Sequence, residues 1–245
     1  MPHPKHVAPP RVDAPAQDEG EAWRDRLMGV LAHDVVGSLA TMRLMSSLIE
    51  EPSLPLAHRD ELVHRFGALV RRLECRTSDL FLADRLARGR AETRRRDVAI
   101  APLVRNTVAG LDLAGREVNV DAVDVDVAVD AKQFTSVVDN LVSNALRHAP
   151  GAGPIEVTLR ASPAELTLVV ADHGPGIPRS ARERIFELFG CVDTGAGTLG
   201  GIGLYVVAGV VTLHGGRVWV GNRRDGGQGA VFSVAIPRVA VRATE

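Results

Sequence analysis

Asp139-Asn140-Leu141-Val142-Ser143-Asn144-Ala145-Leu146-Arg147-His148-Ala149-Pro150-Gly151 is the stretch on which the reading of the whole chain turns. On a helix, Asn140, Asn144 and His148 recur at four-residue steps and Arg147 follows Asn144 by three. The four polar groups are therefore expected on one face. Phe134, Val138, Leu141 and Ala145 fall opposite them and anchor the helix on a core. Amides able to ligate a metal, a cation and an imidazole, lined up on one face, suit a metal-bound polyphosphate. A polar face turned to water explains the stripe equally well, so the decision falls to the sequence downstream.

Val169-Val170-Ala171-Asp172-His173-Gly174-Pro175-Gly176-Ile177-Pro178 ends an alternating strand (Leu166, Leu168, Val170) in a carboxylate and a glycine-spaced turn. A carboxylate at a strand end can accept from an exocyclic amine such as that of adenine, and the glycines allow close backbone approach to a flat ligand. The same residues are ordinary turn formers. Gly195-Ala196-Gly197-Thr198-Leu199-Gly200-Gly201-Ile202-Gly203-Leu204 then leads into an apolar helix beginning at Tyr205. Such a helix start offers unpaired N–H groups and a partial positive charge to phosphate oxygens. No Gly-Lys-Ser/Thr closes it, so it is not a Walker loop.

In this order and spacing the three motifs resemble the ATP-binding domain of the histidine kinase, gyrase, Hsp90 and MutL superfamily. The resemblance runs from about residue 97 to about 238 and takes in Ile185-Phe186-Glu187-Leu188-Phe189, His214-Gly215-Gly216 and Gly229-Ala230-Val231-Phe232. It implies ATP and Mg2+ as ligands, with Asn144 as principal metal ligand and Asn140 a polar neighbour. It places Arg147 and His148 at the phosphates and Asp172 at adenine. Gly174 and Gly176 would shape the adenine pocket, and Gly201, Gly203 and Leu204 would line the phosphates. One or two amide oxygens plus phosphate oxygens make a plausible shell for magnesium.

Upstream, residues 22–51 and 57–89 are expected as two long helices. Met28, Leu31, Val35, Ser38, Met42, Met45 and Ile49 form a heptad seam. Leu62, Phe66, Leu69, Leu73, Leu80 and Ala83 repeat it, interrupted at Arg76. Pro52 and Pro55 confine the turn, so the helices run antiparallel. A lone hairpin cannot bury both faces, and pairing into a four-helix homodimer solves that. His33 falls at an outward heptad position beside Asp34, an exposed imidazole with a carboxylate able to take its proton. Leu31-Ala32-His33-Asp34-Val35-Val36-Gly37-Ser38-Leu39 resembles the phosphoacceptor box of two-component sensor histidine kinases. Gly37 and Ser38 stand where that family commonly has Thr or Asn, then Pro, which puts phosphatase activity in doubt but not transfer to His33. After Phe189, Gly190 and Cys191 replace the family's aromatic and Arg, leaving Arg182 or Arg184 as candidate phosphate contacts.

The fold expected is thus α+β. Residues 1–20 form a disordered tail, 21–92 a dimerisation and phosphoacceptor hairpin, and 97–238 an α/β-sandwich ATP-binding domain. The short basic run Arg94-Arg95-Arg96 is expected as a solvated face of the hinge near 90–98, and 179–200 as a mobile lid. With 245 residues, a net charge of −1 and no apolar run of membrane-spanning length, the composition argues against a basic nucleic-acid surface and a membrane span. Cys75 and Cys191 have no metal or redox spacing, which fits a cytoplasmic setting. The expected activity is ATP-dependent autophosphorylation of His33 and transfer to an aspartate on a response-regulator receiver domain, with the input arriving through a separate sensor protein, through the tail, or not at all. The alternatives are a phosphotransferase with a degenerate second domain, an anti-sigma-type serine kinase, and a nucleotide-responsive dimeric adaptor.

Overall fold

The computed structural model describes residues 19–238 except 114, 150, 152, 194–197 and 224; the side chains of 19–28, 30–34 and 191–200 also lie outside the description. The expected tail at 1–20, the side chains of His33 and Asp34, and much of the expected lid therefore fall outside the described residues.

Two long helices come first, α1 (Glu19–Ile49) and α2 (Leu56–Ala87). The seam is visible in burial: Val35, Ser38, Met42, Met45 and Ile49 are half-buried, while Val36, Leu39, Leu44 and Leu48 are exposed. A turn carrying both prolines joins them, and α2 starts directly after Pro55. Its end is a Schellman close. Gly89, with φ 62°, donates to the Leu86 carbonyl, and Arg90 donates to Arg85.

The remainder is a mixed sheet covered by helices. The strands are β1 (Arg96–Ala99), β2 (Val118–Ala122), β3 (Asp126–Val129), β4 (Ile155–Ala161), β5 (Glu165–Ala171), β6 (Cys191–Asp193), β7 (Thr198–Gly200), β8 (Arg217–Asn222) and β9 (Ala230–Pro237). The helices are α3 (Ile100–Ala109), α4 (Ala131–His148) and α5 (Ile202–Leu213). Five strands run in the order β2-β4-β5-β9-β8, with β2 and β4 parallel and the other pairs antiparallel. Alternation dictates which face is covered: Ile155, Val157, Leu159, Leu166, Leu168, Val170, Phe232, Val234 and Ile236 are all buried. Against them lie Phe134, Val137, Val138, Leu141 and Val142 of α4 and Leu204, Val207 and Val211 of α5. This is the α+β architecture expected.

Two details depart from the sequence reading. β1 pairs antiparallel with β3, and β6 with β7, in two-stranded ribbons whose pairing nothing local in these short segments announces. The basic run is solvated as expected at Arg94 and Arg96, which are exposed, but its backbone and Arg95 are tied to the domain. The Arg94 backbone donates to Asp130, the Arg95 guanidinium donates to the Leu213 carbonyl at the end of α5, and Arg96 opens β1. A cation on the last carbonyls of a helix is favoured by the exposed C=O groups and the dipole there. Gln133 also donates to the Glu92 carbonyl, so the segment from Glu92 to Arg96 is held against α4 and α5.

Candidate functional site: a polar helix face between a strand end and a helix start

Helix α4 presents the site. Asp130 caps it, accepting from Lys132 and Gln133 backbone N–H groups. Its apolar side is sealed in the core, and that holds the other side in place. Asn140, Asn144 and His148 are 1%, 7% and 8% exposed, so the stripe is not a solvated face. Arg147 does not share it, contrary to the sequence expectation. It is exposed, because a three-residue step turns 60° back from Asn144 whereas His148 lies 40° forward, leaving the two side chains about 100° apart. Arg147 instead borders a cavity of about 850 Å³ between the hairpin and helices α3 and α4. That cavity touches Asp139 and Ser143 but none of Asn140, Asn144, His148 or Asp172.

Asp172 follows β5 at one end of the stripe. Its Oδ1 accepts from the backbone N–H of Gly174 at 2.8 Å and of Ala230 at 3.1 Å, while Oδ2 makes no hydrogen bond among the described residues. A fixed carboxylate with one oxygen to spare is what recognition of an amine requires. Gly174 permits the turn to close: a Cβ there would lie 2.8 Å from the His148 carbonyl oxygen. Gly176, with φ 75°, continues that turn. His148 thus sits at the Asp172 end of the face, away from the α5 start. Its Nδ1 is buried without a partner among the described residues. Burial, then Arg147, lowers its pKa against the pull of Asp172, so the ring is neutral near pH 7.

At the other end is the start of α5. Gly201 (φ 95°) occupies its N-cap with no side-chain cap, which leaves the first-turn N–H groups for a ligand. Gly203 lies against the stripe so closely that a Cβ would fall 2.2 Å from Asn140 Oδ1. The Leu204 side chain is sealed in the core, so any contact it offers comes from its backbone. From Asn140 to His148 is two four-residue steps, about 12 Å of helix. The face therefore bridges the Asp172 turn and the α5 start, with Asn144 midway. Asn144, 7% exposed, makes no side-chain hydrogen bond among the described residues, so its amide is free to meet a ligand. No group of three or more His, Cys, Asp or Glu able to hold a metal occurs among the described residues. A cation here would draw on an amide oxygen and on ligand phosphates, and the residues fit that.

Two residues were missed. Asp79 of α2 is 3% exposed and accepts from Asn140 Nδ2 at 2.7 Å and from the Ser136 hydroxyl. Burial pushes its carboxyl up to about 6, against the opposing pull of Ser136, Asn140 and Arg76. Its only trace in the sequence is the seam interruption at Arg76, three residues before it. His214 is the second. Asp130 N–H donates to its Nε2 at 3.1 Å, so Nδ1 carries the proton given to the Val210 carbonyl, and the ring is a neutral structural bridge. Elsewhere, Arg182 is engaged by the Ile177 carbonyl and Asn222, and Arg184 is exposed. Burial pushes the Cys75 thiol up to about 11, which makes it a poor nucleophile. No helix among the described residues is long and apolar enough to cross a membrane.

Residues 129–240 match the family described as histidine kinase-, DNA gyrase B-, and HSP90-like ATPase. The chain is 31% identical over 171 residues to a probable sensor histidine kinase HK of Mycobacterium tuberculosis, covering 69% of this chain and 45% of that protein. It is 26% identical over 230 residues to the adaptive-response sensory kinase SasA of Thermosynechococcus vestitus, covering 88% of this chain and 60% of that one. Full-length ShkA in complex with AMPPNP has the same fold over 89% of this chain and 47% of its own, with a TM-score of 0.56 and 24% identity. Residues 129–240 thus match the histidine kinase-, DNA gyrase B-, and HSP90-like ATPase family, and the two curated relatives, of which the chain spans 45% and 60%, are named as sensor or sensory kinases.

Proposed function

We propose that the chain is a cytoplasmic protein-histidine kinase that phosphorylates its own His33 from Mg-ATP and passes the phosphoryl group to an aspartate of a separate response regulator. The observation that carries this reading is the buried α4 face, with Asn144 unpartnered, strung between the Asp172 carboxylate and the uncapped start of α5. Its length of about 12 Å suits a nucleoside triphosphate laid along it. Adenine would sit at Asp172 beside neutral His148, with the exocyclic amine donating to Oδ2. The phosphates would meet the first turn of α5, where N–H groups and the helix dipole favour negative charge. Asn144 would hold the metal, and a metal there supplies charge neutralisation of the phosphate oxygens.

The chemistry asked of the protein is positioning. An imidazole nitrogen of His33 attacks the γ-phosphorus, the bond from that phosphorus to the β–γ bridging oxygen breaks, ADP leaves, and Asp34 accepts the imidazole proton. Residues 21–92 serve as the dimerising stem and 97–238 as the catalytic domain, with residues 1–20 as a tail. The exposed apolar side chains of the stem, among them Val36, Leu44, Val63 and Phe81, supply the surface a second copy would cover. Incubation with γ-labelled ATP should give acid-labile, alkali-stable label on the protein. Label that persists in His33→Gln would remove His33 from the mechanism.

A further inference from the structure

Asn140 is held by three elements at once. Its amide nitrogen donates to Asp79 on α2 at 2.7 Å and to the Ser136 carbonyl one turn back on α4, and its oxygen lies against Gly203 in the first turn of α5. Ser136 adds its hydroxyl to the same carboxylate. A buried carboxylate on the stem thus collects both side-chain donors that α4 directs at it. Arg76, from Asp79's own helix, and Asp139, from α4, are the charged groups that also face it.

The same seat holds the root of the expected lid. Leu188, Phe189 and Ile202 pack on Leu80 and Ala87 of α2, and Leu86 fits so closely over Gly209 of α5 that a Cβ there would lie 2.5 Å away. Phe189 has φ 58°, the sole positive value outside glycine among the described residues. Left-handed backbone is costly for a bulky L-residue and persists where surrounding packing imposes it. The stem is therefore fastened both to the first turn of α5 and to the segment entering the expected lid.

This seat is remote from the phosphoacceptor. His33 lies 16 positions before the end of α1 at Ile49, and the same count into α2 from Leu56 reaches residue 72. Asp79 to Ala87 lie 7 to 15 positions further along, about 10–23 Å down the stem. The domain must leave that seat to bring a phosphoryl group to His33.

We propose that Asp79 is a positioning residue that latches the ATP-binding domain on the stem through Asn140 and Ser136, and that nucleotide entering beside Asn140 releases the latch. This rests on the α4 face being the nucleotide site. An incoming polyphosphate at the α5 start demands space and donors where the Asn140 amide is now fixed, so binding and latching compete for one side chain. Because the energies are coupled, loss of the latch must tighten nucleotide binding as much as nucleotide weakens the latch.

The test uses the full chain and two substitutions at one position, read by small-angle scattering without nucleotide and by calorimetric titration with Mg-AMPPNP. Asp79→Ala removes the acceptor; it should enlarge the radius of gyration and tighten AMPPNP binding about three- to tenfold. Asp79→Asn keeps an acceptor for Asn140 and a partner for Ser136 without a buried charge; it should stay compact and bind no tighter than wild type. Shifts in the same direction for both variants, or in neither, overturn the latch. Ser136→Ala serves if Asp79→Ala does not fold, with a smaller shift in the same sense expected and an unchanged affinity counting against the proposal. Wild-type protein that gives no heat with AMPPNP would sink the nucleotide reading, while the scattering contrast between Asp79→Ala and Asp79→Asn would still decide the seat.

Discussion

The carboxyl of Asp79 is raised from its ordinary 3.8 to about 6, and this makes the seating of the domain pH-dependent in a calculable way. Burial is the leading cause; the Ser136 and Asn140 hydrogen bonds and Arg76 oppose it, and Asp139 adds to it. A raised pKa means the seated state binds the proton more tightly than the released or unfolded chain. Its contribution is complete below about pH 4 and is lost as pH rises through about 6. Each pKa unit is worth about 1.4 kcal/mol, so the full effect is about 3 kcal/mol, of which about 1 has accrued at pH 4.5. Asp79→Asn places a permanently neutral isostere in the site and should escape that cost. In thermal unfolding of the apo protein, Asp79→Asn should exceed wild type by a margin that grows between pH 4.5 and pH 7.5. A difference of about 2 kcal/mol between the two ends corresponds to roughly 4–8 °C for a chain of this size. A margin that is flat across that range, or Asp79→Asn melting below wild type at pH 7.5, would mean that the seated Asp79 carboxyl does not hold its proton more tightly.

Other outcomes follow from the same geometry. Gly203→Ala would put a methyl 2.2 Å from Asn140 Oδ1, so the amide or α5 must shift at about 1–3 kcal/mol, measurable by urea unfolding together with weaker AMPPNP binding. His214→Ala deletes a fully enclosed imidazole that bridges Asp130 and Val210; a loss of about 2–4 kcal/mol in urea unfolding is expected. Asp172→Asn should narrow the preference for AMPPNP over GMPPNP in paired titrations, because an amide can donate to the oxygen that guanine carries where adenine has its amine. Unchanged selectivity would remove Asp172 from base recognition.

Much of the fold was legible because its signals are local. The apolar positions of α4 and the alternation in β4, β5 and β9 fix which face turns inward without knowledge of any partner. The stem seam behaves likewise, as the half-buried Val35, Met42 and Met45 against exposed Val36 and Leu44 show. What the sequence hid is non-local. Asp79 looks like one more charge on a long polar helix, and its burial comes from Ser136 and Asn140, 57 and 61 positions away. The pairing of Arg96–Ala99 with residues 126–129 is hidden for the same reason, and the basic run beside it finds partners in Asp130 and Leu213. Arg147 parts from the stripe because three- and four-residue steps are not equivalent. Near the edge of a narrow stripe, that angular difference decides between a buried site and an exposed rim.

At the centre of the account stands one site made from the Asn144–His148 face, the Asp172 turn and the first turn of α5. Calorimetric titration of Mg-AMPPNP into wild-type protein and into Asn144→Ala examines it most directly. Saturable, magnesium-dependent heat in the wild type that collapses in Asn144→Ala is the predicted result. Equal heat in both, or none in the wild type, would contradict it.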